Sequence, residues 1–201
     1  MHTRVEPLAG GTLLQAVAER ADLSTAVRGA AVLFATVATI ASAQVSIPLP
    51  FTPVPFTLQP MVVLLAGAAL GSRLGLTSQL CYLALGLAGL PVFAASPALP
   101  QGVARLLGPT GGYLMSYPLA AFVAGYLAER GFDRRYLSSV LAMAAGLILV
   151  FACGVSWLAF GVPHAGVSVA IATGLVPFLP ADIFKIFVAA TVLPAAWRFL
   201  R

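Results

Sequence analysis

The sequence predicts an all-α membrane protein with several spans. Three observations carry that expectation: a scarcity of charge, apolar runs near bilayer length, and a one-sided placement of arginine. Charged residues are 8% of the chain and hydrophobic residues 60%, against roughly 25% charged in an ordinary soluble domain. A soluble fold of 201 residues would need polar surface that this chain lacks. In lipid, apolar side chains face outward without penalty and backbone groups are satisfied inside helices. The net charge of +5 does not signal nucleic acid, because the basic residues are scattered and form no basic helix or aromatic-interleaved patch.

A hydrocarbon core of ~30 Å takes about 20 apolar residues per helix. Six segments qualify as spans: residues 26–45, 57–71, 74–93, 111–127, 137–160 and 181–197. Residues 166–178 are also apolar, but the run is short and bounded by Pro163, Pro177 and Pro180. It reads as a re-entrant or interfacial piece joining the last two spans. Placing the N-terminus in the cytoplasm puts Arg4, Arg20, Arg28, Arg73, Arg130, Arg134, Arg135, Arg198 and Arg201 inside. Only Arg105 falls outside, and Lys185 lies within a span. Such a split obeys the positive-inside rule and requires an even number of spans with both termini cytoplasmic. Residues 1–25 are then a cytoplasmic N-terminal segment and 26–201 one multi-pass domain of the cell membrane. Leu13, Leu14, Val17 and Ala21 stand at helical spacing in that segment, which fits a membrane-surface helix or a partly ordered tail. Ala41-Ser42-Ala43 resembles a signal-peptidase site, but the long preceding region carries Glu6, Glu19 and Asp22, unlike a signal peptide.

Cys81 and Cys153 lie in apolar runs and read as small buried hydrophobes. With His2 and His164 far apart in sequence and few carboxylates, no metal-ligand pattern emerges.

Five features carry chemistry. The segment SIPLPFTPVPFTLQP between the first two spans holds Pro48, Pro50, Pro53, Pro55 and Pro60 and no charge. Proline fixes φ and suppresses helix, so the segment is a stiff apolar strap. It is either a lid over a cavity, presenting Phe51, Pro53, Pro55 and Phe56, or a turn lying on the bilayer. Asp182 and Lys185 follow Pro180, a natural first-turn residue. Their spacing of three places them on one helix face. A charge within a span costs about 2.5–3.5 kcal/mol or more, so the pair is either a neutralised structural element or a polar recognition site. The run RLLGPTGGYL enters the fourth span through glycines that permit close approach. There is no phosphate-binding G-x-x-x-x-G-K-[ST], so ATP-driven work needs a partner. Gln79 and Tyr82 share a face of the third span; a glutamine there is interhelical glue or a ligand contact. Ala31 and Ala35 form a small-xxx-small pair in the first span, suited to internal packing or to docking of another protein. One intramembrane aspartate and no intramembrane histidine supply no nucleophile–base set or aspartate pair, which argues against an enzyme.

At IPLPFTPVPFTLQ, GLPVFA, GPTGGYL and PFLPADIFK the sequence resembles the BioY family, the biotin-specific substrate-binding (S) components of energy-coupling factor (ECF) transporters. The resemblance runs from about residue 30 through the sixth span. It implies a six-helix S-component bundle that binds biotin near the exterior face under the first loop. It implies a transmembrane coupling protein and two ATPases as partners, with ATP used by the ATPases and no cofactor in this chain. In the family the acidic–x–x–lysine pair contacts biotin, which matches Asp182 and Lys185, and alanines of the first helix dock the coupling protein, which matches Ala31 and Ala35. A helix-three polar residue also contacts the head group. Members compared carry asparagine in that region; here the nearest candidate is Gln79, with Tyr82 beside it. Some family members are reported to work without the other subunits. Biotin's ureido group offers two N–H donors and one carbonyl, complementary to Asp182 and Lys185. Its carboxylate is assigned to Arg105, the one exterior arginine. The alternative is a solitary proton-coupled transporter using Asp182.

Overall fold

A computed structural model describes residues 11–16, 24–96, 99–163 and 166–200. In chain order the elements are α1 (Ser24–Gln44), β1 (Ser46–Ile47), β2 (Phe56–Thr57), α2 (Gln59–Leu70), α3 (Ser72–Leu87), α4 (Val103–Leu107), α5 (Gly111–Glu129), α6 (Tyr136–Phe160), α7 (Gly166–Gly174) and α8 (Leu179–Leu200). Among the described residues, three helices are long and apolar enough to cross a membrane: Thr25–Gln44, Tyr136–Phe160 and Leu179–Phe199. The 12-residue α2 is apolar after Gln59, yet reaches only about 18 Å. Residues 13–16 form a helical turn; Val17 and Ala21, expected to continue it, lie outside the described residues.

Burial is arranged for lipid. Phe34 is 75% exposed, Leu137 74%, Ile148 68% and Phe184 68%, so large apolar side chains cover the outside. The inside is lined by small residues. Along α5, Ala120, Ala121, Ala124 and Ala128 are all 0% exposed. This helix packs against α2, α3 and α6. Glycine makes the contact close: a Cβ on Gly67 would stand 2.3 Å from the Ala121 carbonyl oxygen, and one on Gly125 would stand 2.4 Å from the Gly71 carbonyl carbon. In lipid, where hydrophobic exclusion does not drive helices together, such backbone-to-backbone packing supplies much of the association.

Gly71 separates α2 from α3. Its φ of +91° is a region open to glycine at little cost. The Glu129 carboxylate then accepts from the Ser72 backbone N–H at 2.8 Å and the Ser72 hydroxyl at 2.9 Å. That satisfies a free donor at the α3 N-terminus and places negative charge at its positive end.

Two expectations need correction. The third helix ends at Leu87 rather than at residue 93. Gly89, with φ +89°, and Pro91 turn the chain, and Phe93 folds back to meet Tyr82 edge-on at 5.5 Å. Cys81 is exposed and Cys153 half-buried, because both sit on outward or groove-facing sides of their helices. The apolar run expected to be re-entrant or interfacial holds the short helix α7, tied to α5 by the Tyr113 hydroxyl donating to the Gly174 carbonyl at 2.8 Å.

Replacing Gly125 by leucine should drive the α2–α3 turn away from α5. We expect a loss of about 1–3 kcal/mol or more, read as a lowered thermal midpoint of the detergent-purified protein, with Gly29→Leu, a site with open space, nearly neutral.

Candidate functional site

The strap between α1 and α2 is a short hairpin. Ser46 pairs with Thr57 and Ile47 with Phe56, antiparallel. Prolines keep its tip from extending the ladder. Phe51 and Pro53 point outward, Phe51 being 60% exposed. Val54 is buried, and it lines the space beneath together with Pro55.

One ammonium locks this strap down. Lys185 Nζ donates to Asp182 Oδ1 at 2.7 Å and to the Thr57 carbonyl at 2.7 Å. It also lies 3.8 Å from the Phe56 ring centroid. Phe56 in turn stacks on Phe178 at 6.4 Å. Both charged residues are buried, at 5% and 8% exposure. The pair on α8 therefore neutralises itself and fastens the strap over the bundle.

Two cavities of about 40 Å³ each lie under the strap. Both are bounded by Val54, Pro55, Thr57, Tyr113 and Tyr117, so they are halves of one chamber. One half reaches Asp182, Lys185 and Phe178; the other reaches Gln59, Thr110 and Arg105. The chamber thus has polar ends joined by an apolar, aromatic middle. Thr110 Oγ1 is buried with no hydrogen-bond partner, and a buried unpaired hydroxyl calls for one. At this volume the chamber holds no organic molecule, since ligand pockets measure about 300–1,000 Å³.

Arg105 is buried, 1% exposed. Its guanidinium donates from Nε to the Pro100 carbonyl at 2.7 Å and from Nη2 to the Ala94 carbonyl at 2.7 Å. It pins the loop before α5 while still bordering the chamber. Tyr82 stands behind the wall: its hydroxyl accepts from Gln59 Nε2 at 2.7 Å, and its ring stacks on Tyr117 at 6.5 Å. Gln79 is elsewhere. It donates to Thr39 Oγ1 at 3.2 Å across the α1–α3 seam and does not line the chamber. Ala35 also faces that seam, 3% exposed, whereas Ala31 is half-buried.

The BioY family model matches residues 16–201. The chain belongs to the BioY family. Among relatives, the probable biotin transporter BioY of Pyrococcus horikoshii is 42% identical over 160 residues, covering 80% of this chain and 88% of the relative. The biotin transporter BioY of Thermotoga maritima is 41% identical over 153 residues, covering 76% and 85%. A crystal structure of the S-component for biotin from an ECF-type ABC transporter superposes with a TM-score of 0.76 at 28% identity, covering 85% of this chain and 90% of that one.

For this BioY chain the sequence singled out the ion pair, the strap and Arg105, which border the chamber, and Tyr82, which stands behind its wall. It missed Gln59, Thr110, Tyr113 and Tyr117. The two tyrosines stand four apart in a mostly apolar helix, a same-face signal available in the sequence. Gln59 carried only its place beside Pro60 at a helix start. Replacing Lys185 by methionine leaves Asp182 buried without its cation and the Thr57 carbonyl without this donor. We expect about 3–5 kcal/mol of destabilisation and faster proteolysis within the strap, with the double change Asp182→Leu and Lys185→Met milder than Lys185→Met alone.

Proposed function

We propose that this chain is the biotin-binding membrane subunit of a vitamin-uptake system. The observation that carries the reading is a strap-covered chamber, with an Asp–Lys pair at one end and an aromatic middle, in a chain of the BioY family. Biotin would enter as the strap lifts from Lys185. Its ureido N–H groups would donate to Asp182 and its ureido carbonyl would accept from Lys185. The fused rings would lie against Tyr113, Tyr117 and Phe178, and the carboxylate would be directed to the end bounded by Gln59, Thr110 and Arg105. Tyr82 would act through Gln59, and Gln79 through the α1–α3 seam, as positioning residues.

The same proposal holds six membrane crossings, made by α1, α2, α3, α5, α6 and α8, with both termini cytoplasmic and the strap outside. Release inward would be driven by an ECF module of a transmembrane coupling protein and two ATPases. That protein would pack on the outer face of α1 at Ala31, and would reach Ala35 only through a shift of α1 from α3. The chain itself would carry no catalysis and no cofactor.

The test is biotin retention by the purified protein, with desthiobiotin and lipoate as comparisons. Desthiobiotin keeps the ureido group and should bind; lipoate lacks it and should not. Asp182→Ala and Lys185→Ala should each weaken binding roughly tenfold to a hundredfold, the worth of a charged hydrogen bond. Equal binding of lipoate, or unchanged affinity in both variants, overturns the site. Uptake that persists without ATPases and collapses with the proton gradient would replace ATP coupling by proton coupling through Asp182.

A further inference from the structure

At the far end of α8 from Asp182, a groove of about 590 Å³ is lined by Arg134, Arg135, Tyr136, Pro194, Trp197 and Arg198. The Arg134 guanidinium stands 5.0 Å from the Trp197 ring centroid, a favourable cation–π placement. The Trp197 indole N–H donates to Asp133 Oδ2 at 2.6 Å, which fixes the ring. Asp133 is buried beneath. Arg135 and Arg198 are exposed. The groove therefore has an ordered aromatic floor and two exposed arginines on its rim. The first turn of α6 opens beside it with no side-chain cap, adding the positive end of a helix dipole.

Its position narrows the ligand. Two of the three membrane-length helices end here, one beginning at Tyr136 and the other closing at Phe199. Immediately beside the arginines the surface turns apolar, with Leu137 74%, Leu141 62% and Phe199 90% exposed. A basic rim above an apolar skirt at a span boundary matches a molecule with a phosphodiester head and two acyl chains. Arginine pairs with phosphate oxygens through its planar fork. Basic pockets between helix ends on the cytoplasmic side are suited to anionic lipid head groups. A soluble phosphate compound would use the rim but leave the skirt unexplained.

We propose that this groove binds the head group of an anionic phospholipid, with Arg135 and Arg198 as the phosphate contacts and Trp197 beneath it. The site is separate from the chamber under the strap and does not rest on the identity of that chamber's ligand.

The experiment uses the full chain in phosphatidylcholine nanodiscs, with phosphatidylglycerol brominated near the head group as the probe and equally brominated phosphatidylcholine as its match. Trp157 and Trp197 are the two tryptophans, so the difference between the native chain and Trp197→Phe isolates the Trp197 signal. We expect phosphatidylglycerol to reach half-maximal quenching at a mole fraction on the order of tenfold lower than phosphatidylcholine. The double variant R135Q/R198Q should erase that preference and R135K/R198K should keep most of it, with both showing native circular dichroism. Excess inorganic phosphate should not displace the lipid. Equal quenching by the two lipids, or a preference retained in R135Q/R198Q, overturns the proposal. Displacement by inorganic phosphate assigns the groove to a soluble anion and also overturns it. A lipid preference retained in R135Q/R198Q, together with lost co-assembly with a coupling protein, would make the groove a protein contact instead.

Discussion

The Lys185 ammonium is the point on which the strap end of this protein depends. It sits in a setting that would reject a bare cation, and it is kept there by two oxygens, one from its own helix and one from the strap backbone. The Phe56 face completes its surroundings. Because one of those oxygens belongs to the strap, the electrostatic need of a buried charge becomes a closing force on a loop. Proline does the rest: a segment already stiff loses little entropy when it docks.

The remainder of the bundle is built on a different principle. Helices α2, α3 and α5 meet through glycine and alanine, with backbone against backbone. Such contacts tolerate little sideways movement, since each added atom collides. The strap end is held by a few directed polar bonds and ring contacts. The molecule thus combines a tightly interlocked half with a half fastened by few, specific links, and the chamber lies where the two meet.

Much of this was legible in the sequence because lipid imposes blunt rules. Apolar runs and a charged pair after a proline are one-dimensional signals. The position of Asp182 and Lys185 on one face followed from helix geometry alone. The chamber's other polar end was less legible. Gln59 and Thr110 meet it only because Gly71 turns α2 back along α3 and the GPTGG run admits α5 closely, relations that no local period records. Gln79 shows the converse. Its type marked it as a polar group needing a partner, but whether that partner was a ligand or Thr39 depended on the placement of α1. The early end of α3 had the same origin: hydropathy continues through Phe93, while Gly89 and Pro91 decide the backbone.

The hairpin's grip on Lys185 has a consequence for thermodynamics. If a ligand takes the Lys185 ammonium as proposed, it competes with the protein's own strap, and only a lifted population would be competent to receive it. Apparent affinity is then the intrinsic affinity scaled by that population. Residues such as Phe51 and Pro53, which point away from the chamber, can retune affinity through the closed–lifted equilibrium alone. Selectivity between two molecules is untouched by that factor, because it scales both alike. Strength and discrimination are therefore set by different parts of the chain.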